Sequence, residues 1–175
     1  MNIRRLTTNG LLLALAFVFS YIEWLLPEFL MIPGAKPGFA NIVIVTALYC
    51  VGAGDALLIN LVRIILVGFT FGNLTALLFG LAGGLFSFGV MTLLKKTDRF
   101  GIAGVSIAGG VCHNLGQLAA AVAVMRTTAV LYYLPYLILL GAAAGLVVGI
   151  ISGLCIRALS ARGNVNGREG NGSRK

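Results

Sequence analysis

Seven polar residues lie inside long apolar runs of the sequence, and their side chains are the ones that could do chemistry there. They comprise one carboxylate, one guanidinium, one imidazole and four carboxamides, and they are Glu23, Asn41, Asn60, Arg63, His113, Asn114 and Gln117. A polar group inside a lipid bilayer is costly unless it is paired, so each is by default a candidate for function. Side chains of these types hold a ligand through hydrogen bonds and charge.

The spacing of these residues predicts that several share one region. His113 and Gln117 are four apart, on one face of a helix, with Asn114 on the adjoining face. At about 1.5 Å per residue, His113 lies just past the middle of its apolar run and Arg63 slightly below the middle of its own. Glu23 lies near the outer end of the first run. We therefore predict a site in the outer half of a membrane.

Lys36 joins the predicted site because it precedes Pro37, Gly38 and Phe39 at the start of a helix, with Asn41 in the first turn. Each of these polar residues also has a structural alternative. Arg63 could bond to carbonyls, His113 could be a satisfied interior histidine, and Glu23 or Lys36 could mark the membrane surface. Lys36, Arg63 and His113 outnumber Glu23, which favours an anionic or carbonyl-rich ligand.

Composition shows which elements must position these residues. The chain has 175 residues, of which 59% are hydrophobic and 10% are charged. A soluble domain has about 25% charged residues. Because 5 of the 18 charges lie in residues 160–175, too few remain to coat a soluble globule. We therefore predict an all-α integral membrane protein with one transmembrane domain, residues 1–159.

Apolar runs long enough for a membrane-spanning helix predict six helices. Their approximate bounds are 7–26, 39–51, 55–71, 74–94, 102–125 and 130–159, with Asp55 as the N-cap of the third. The polar, glycine-rich segment 160–175 is predicted to be a disordered cytoplasmic tail. A five-helix arrangement, with the second and third helices partly re-entrant, is the alternative.

The distribution of basic residues predicts orientation. With an even number of helices, 10 of the 13 lysines and arginines fall on one side, and Lys36 and Arg126 on the other. The positive-inside rule places the richer side, with both termini, in the cytoplasm. Aromatic residues at the predicted outer ends of the first and sixth helices match an interfacial belt. They are Tyr21, Trp24, Tyr132, Tyr133 and Tyr136.

Several function classes are excluded by what the sequence does not contain. It has no P-loop, no HExxH motif, no clustered cysteines and no pair of acids close enough for a metal-diphosphate site. We therefore predict no metal, no cofactor and no catalysis by the chain itself. The basic residues do not form a patch with interleaved aromatics, so nucleic-acid binding is not expected.

Small residues spaced four apart allow helices to approach closely. In the fourth and sixth helices the spacing predicts packing within the chain, through Gly80 and Gly84 and through the series Gly141, Gly145 and Gly149. On the first helix, Gly10 and Ala14 could instead face a partner.

Five stretches together resemble a known family. They are PGAKPGFANIV, NLVRIILVGFTFGN, LFGLAGGLFSFGVM, GVSIAGGVCHNLGQL and YYLPYLILLGAAAG. The pattern resembles the bacterial Gx transporter family, also labelled heptaprenyl diphosphate synthase component I, and is similar to the substrate-binding S components of energy-coupling factor (ECF) transporters.

The resemblance implies a six-helix S-component-like bundle in the bacterial plasma membrane. It implies a substrate pocket lined by the first loop and the outer halves of the helices, through Lys36, Phe39, Asn41, His113, Asn114 and Gln117. It also implies that Gly10, Ala14 and Val18 contact a transmembrane coupling protein, which joins two ATPases.

Three functions follow from the sequence and the resemblance. The first is a substrate-binding component that imports a small molecule, such as a vitamin or an isoprenoid or quinone precursor. The second is a non-catalytic accessory subunit in heptaprenyl diphosphate or menaquinone synthesis, because isolated Asp55 and Asp98 cannot hold magnesium against a diphosphate. The third is a scaffold for membrane electron-transfer proteins.

Overall fold

A computed structural model describes residues 3–26 and 38–172 as a bundle of six α-helices. They are α1 (Ile3–Leu25), α2 (Phe39–Cys50), α3 (Ala53–Thr70), α4 (Leu74–Lys96), α5 (Ile102–Met125) and α6 (Leu134–Gly172). A 3-10 helix, Ala129–Tyr133, precedes α6. Five helical segments are long and apolar enough to cross a membrane, and α2 is a shorter apolar helix. The prediction of an all-α, six-helix membrane protein is confirmed.

The helices form a closed ring. Around the ring each helix contacts the next in the order α1, α2, α6, α5, α4 and α3, and α3 contacts α1 again. Consecutive helices run in opposite directions, which gives the bundle two ends. We call the end with Leu25, Gly38, residues 71–73 and residues 126–133 the cavity end. We call the end with Arg5, residues 51–52 and residues 95–101 the basic end.

Exposed apolar side chains cover the outside of the bundle, as a bilayer requires. Leu11 on α1, Phe69 on α3 and Leu139 on α6 are each more than two thirds exposed. In water such surface would be unfavourable, whereas lipid tails solvate it as well as a protein core does. Exposure of leucine and phenylalanine on every side therefore agrees with a protein that sits in lipid.

The dry core surrounds α2 in the half of the bundle nearer the basic end. Eight of the 12 residues of α2 are buried, from Ala40 to Leu48. Ile44 and Leu48 pack with Ile59 of α3, Met91 of α4 and Val105 of α5. Helix α2 thus lies inside protein, and its apolar sequence reflects burial among helices.

Two polar contacts join the helices at the basic end. Arg5 of α1 donates from Nε and Nη2 to both carboxylate oxygens of Asp55 on α3, at 2.7 and 2.8 Å. Lys95 of α4 donates from Nζ to the carbonyl oxygen of Leu48, at 2.6 Å, and lies over the ring of Tyr49. Carbonyls at a helix C-terminus lack partners within the helix, so Lys95 satisfies one that α2 leaves open.

The prediction that Asp55 caps α3 is wrong. The helix begins at Ala53 with Gly52 as its N-cap, and Asp55 lies in the first turn. Its side chain is engaged by Arg5 from another helix, a partner that local sequence spacing does not indicate.

The predicted close packing through glycines is confirmed in α4 and α6. Gly80 and Gly84 face Ile64 of α3, and Gly141, Gly145 and Gly149 face the backbone of α5. A Cβ on Gly145 would lie 2.6 Å from the carbonyl oxygen of Ser106. The seam of α5 and α6 therefore depends on residues without side chains.

Candidate functional site

A cavity of about 330 Å³ lies among α1 to α5 in the half of the bundle at the cavity end. A cavity with a few placed polar groups is the usual form of a small-molecule site. Its polar lining comes from α1, α2, α3, α5 and the turn before α4, and comprises Ser20, Glu23, Asn41, Arg63, Asn73, His113, Asn114 and Gln117. Residues far apart in sequence thus line one volume.

Helices α1 and α2 meet at the cavity through Glu23. A carboxylate oxygen of Glu23 accepts a hydrogen bond from the backbone N–H of Phe39, the first residue of α2. The first N–H groups of a helix have no partner within the helix and carry partial positive charge, so a carboxylate there is favourable. Glu23 is 8% exposed, and it therefore both lines the cavity and closes the start of α2.

Gly38 turns the chain into α2 at the cavity wall. Its φ is 79°, in the left-handed region that glycine adopts without steric cost. A Cβ at this position would make only ordinary contacts, 3.5 Å from Asn41 Nδ2 and 3.6 Å from Val148 Cγ2. Backbone conformation, more than space, therefore requires glycine here.

Helix α3 contributes the guanidinium of Arg63. Its Nη2 donates to Asn60 Oδ1 at 2.9 Å and more weakly to Asn41 Oδ1 at 3.5 Å. Asn60 in turn donates from Nδ2 to the carbonyl oxygen of Gly84, at 3.4 Å. Arg63 is therefore held by carboxamides from its own helix and from α2, and its charge interacts with that of Glu23.

Helix α5 brings His113, Asn114 and Gln117 to the cavity from the side opposite α1. Glycine in α4 makes this possible: a Cβ on Gly83 would lie 2.7 Å from the carbonyl oxygen of His113 and 2.8 Å from Gln117 Cγ. Asn114 also donates from Nδ2 to the carbonyl oxygen of Leu137 on α6, at 2.7 Å. Asn114 thus joins α5 to α6 as well as facing the cavity.

An aromatic group borders the cavity between α1 and α3. Phe71 lies 5.4 to 5.7 Å, between ring centroids, from Phe17, Tyr21 and Trp24. Trp24 and Phe71 also line the cavity. Such rings supply large apolar area at defined separations, so they give the site an apolar patch beside its polar groups.

Six of the eight predicted substrate-binding residues line this cavity together: Glu23, Asn41, Arg63, His113, Asn114 and Gln117. Phe39 contributes its backbone N–H to Glu23, while its side chain packs against the dry core. Lys36 lies outside the described residues. That these residues bind a substrate stays a prediction.

Other residues in or beside the cavity were not among the predicted site residues. Asn60, which is 2% exposed, does not line the cavity but holds Arg63, and its spacing of three from Arg63 could have indicated the pair. The position of Trp24, by contrast, depends on the rotation of α1 in the bundle, for which sequence gives no signal.

The predicted partner strip on α1 faces away from the bundle. Gly10 and Ala14 are exposed and Val18 is 50% exposed, and a Cβ on Gly10 would meet no atom within 4 Å. Lipid or a second protein could cover this face, so partner contact stays a prediction. Within the described residues, no three His, Cys, Asp or Glu side chains are grouped closely enough to hold a metal ion.

Comparison with known proteins gives one match. The family model described as heptaprenyl diphosphate synthase component I matches residues 12–155, which include every residue that lines the cavity. No curated protein and no solved structure matches the chain.

Proposed function

The chain belongs to the heptaprenyl diphosphate synthase component I family, and from this premise we propose that it is a membrane component that binds a small molecule in the cavity. We propose further that it serves as the substrate-binding component of an importer, of the ECF type. The observation that carries the proposal is the convergence of polar side chains from four helices and the turn before α4 on one cavity. Polar groups inside a membrane bundle commonly mark a substrate pathway.

The size of the cavity supports a small substrate. Small-molecule sites have volumes of about 300 to 1,000 Å³, and the 330 Å³ of this cavity lies at the lower end of that range. A heptaprenyl chain, with seven five-carbon units, needs considerably more. A head group, a short precursor or a vitamin-sized molecule suits the described volume, whereas the full polyprenyl product does not.

The position of the cavity supports import. Five basic residues lie toward the basic end: Arg5, Lys95, Lys96, Arg99 and Arg157. The positive-inside rule favours a cytoplasmic position for that end. The cavity would then lie in the outer half of the membrane, where a substrate arrives. The exposed strip of Gly10, Ala14 and Val18 would be available to a coupling protein in the bilayer.

The acidic residues support a non-catalytic role. Prenyl transfer to a diphosphate uses clustered carboxylates that hold magnesium. Asp55 is bound to Arg5 at the basic end, Asp98 follows α4, and Glu23 lies at the cavity. These three carboxylates are distributed over both ends of the bundle, so they cannot form one metal site.

The family description favours a second candidate function. A component of heptaprenyl diphosphate synthase need not be catalytic, and the chain could act as an accessory membrane subunit that binds a synthase. In that case a soluble prenyl synthase should co-purify with it and the product chain length should change when it is removed.

Native mass spectrometry of the gently purified protein tests the first function. We expect a bound small molecule in the wild type, and its loss in His113→Ala and Gln117→Ala, because both side chains line the cavity. Thr75→Ala is the matched control, since Thr75 is exposed on α4 and outside the cavity. A bound synthase without a small molecule would favour the accessory role, and retention of the molecule in both cavity variants would contradict our site.

A further inference from the structure

The guanidinium of Arg63 is incompletely paired by the protein. Nη2 donates to Asn60 and Asn41, whereas Nε is buried and has no hydrogen-bond acceptor among the described residues. A buried donor without an acceptor loses the free energy of its hydration. Arg63 also lines the cavity, so its guanidinium can meet an acceptor that comes from outside the chain.

The two acceptors that Arg63 has are neutral. Asn60 and Asn41 offer carboxamide oxygens, and these satisfy hydrogen bonds without neutralising the charge. A guanidinium presents its donors in a planar fork that matches a carboxylate, and such charge-assisted bonds are about twice as strong as neutral ones. A carboxylate on a ligand would therefore add the charge-assisted bonds that these two carboxamides do not give.

Glu23 limits how much negative charge the cavity can accept. It is buried, lines the same cavity and interacts electrostatically with Arg63. One of its oxygens is committed to the N–H of Phe39, so it keeps its place at the start of α2. A diphosphate would bring several negative charges toward this carboxylate, whereas a monocarboxylate brings only one.

We propose that the cavity takes a small molecule that carries one carboxylate, which pairs with the guanidinium of Arg63, while the carboxamides of Asn114 and Gln117 bond its neutral polar part. This inference rests on the proposed function, since it names the substrate class of the same site. It goes further because it assigns a charge, a contact and an orientation: the acid group lies at α3 and the neutral part toward α5.

The single tryptophan of the chain offers a direct measurement, because Trp24 lines the cavity. We would titrate the purified protein with four probes that do not fluoresce and record Trp24 emission. The probes are cyclohexanecarboxylate, its neutral amide, the cation cyclohexylmethylamine and inorganic diphosphate. The first three have nearly the same shape, so they differ mainly in charge.

We expect the carboxylate to half-saturate at a concentration at least about tenfold lower than the amide or the amine. Arg63→Gln should remove this preference, and Arg63→Lys should retain part of it because the charge stays without the fork. Arg126→Gln is the matched control, since Arg126 is an exposed arginine at the same end and outside the cavity.

A stronger response to the amide, the amine or diphosphate would overturn the carboxylate assignment and leave small-molecule binding intact. No response to any probe, together with no co-purifying molecule, would overturn both. If Arg63→Gln fails to fold, the ranking of the four probes on the wild type still decides the question.

Discussion

Asn60 is the single residue on which the geometry of Arg63 most depends. It is almost fully buried, accepts from Arg63 through Oδ1 and donates to Gly84 through Nδ2. One carboxamide therefore bridges the cavity arginine and the backbone of α4. We regard Asn60 as a positioning residue, because its oxygen is used by Arg63 rather than offered to a ligand.

At this scale we predict that Asn60→Leu destabilises the protein by about 1–3 kcal/mol, because a buried guanidinium N–H loses its acceptor. Adding Arg63→Met should recover most of the loss, since replacing both partners of a buried polar pair by apolar groups is often nearly neutral. Thermal unfolding of the single and double variants in detergent micelles measures both effects. Equal stability of the wild type and Asn60→Leu would contradict the role given to Asn60.

Residue types were the most informative part of the sequence. The cost of polar groups in lipid is enough to mark Glu23, Arg63 and His113 as candidates from sequence alone, and all three line one cavity. The hydrogen-bond partners of the polar residues were harder to predict from sequence. Two such pairings are the hydrogen bond from Asn114 to Leu137 and the one from Phe39 to Glu23. Both depend on how the helices are rotated against one another, which a lone sequence does not encode in an obvious way.

At the scale of elements, the seam between α5 and α6 relies on backbone contact. Antiparallel packing sets Gly110 against Gly141, Gly145 against Ser106, and Gly149 against Ala103. Without a hydrophobic driving force between helices in lipid, such close packing is a principal source of helix association. The same seam fixes where α5 presents His113 and Gln117.

Two glycines of α6 provide a matched test of this seam. A Cβ on Gly145 would fall 2.8 Å from Ile107 Cα, whereas one on Gly153 would meet nothing within 4 Å. We predict that Gly145→Ala destabilises the bundle, because backbone must move to admit the methyl group. Gly153→Ala should be neutral or slightly stabilising, since alanine has the higher helix propensity. Unfolding in micelles compares the two, and equal effects would contradict the packing.

Element boundaries were partly predictable from sequence. The length of the apolar runs, and the glycine and proline residues between them, predict six helices, and the structure confirms this number among the described residues. The start of α3 was misjudged because Asp55 has the composition of an N-cap but is held by Arg5 on α1. The observed α6 continues past Leu159, the predicted end, to Gly172, and disorder of residues 160–175 stays a prediction.

For the whole molecule, the charge asymmetry between the two ends leads to a testable orientation. We predict that a cysteine at Thr128 reacts with a membrane-impermeant maleimide in intact cells, whereas a cysteine at Thr97 reacts only after permeabilisation. Both residues are exposed, at the cavity end and the basic end respectively. The background would carry Ser in place of Cys50, Cys112 and Cys155. Labelling of Thr97→Cys alone in intact cells would reverse the orientation and remove the argument for import.

The brevity of α2 has a consequence for biosynthesis. At about 1.5 Å per residue, its 12 residues span about 18 Å, well short of a hydrocarbon layer of about 30 Å. Such a segment is poorly retained in a bilayer on its own. One of the contacts that hold it, the hydrogen bond from Ser152 to the carbonyl oxygen of Ile42, comes from α6, which leaves the ribosome after the other described helices. We therefore expect nascent chains truncated before α6 to be degraded faster than chains that include α6.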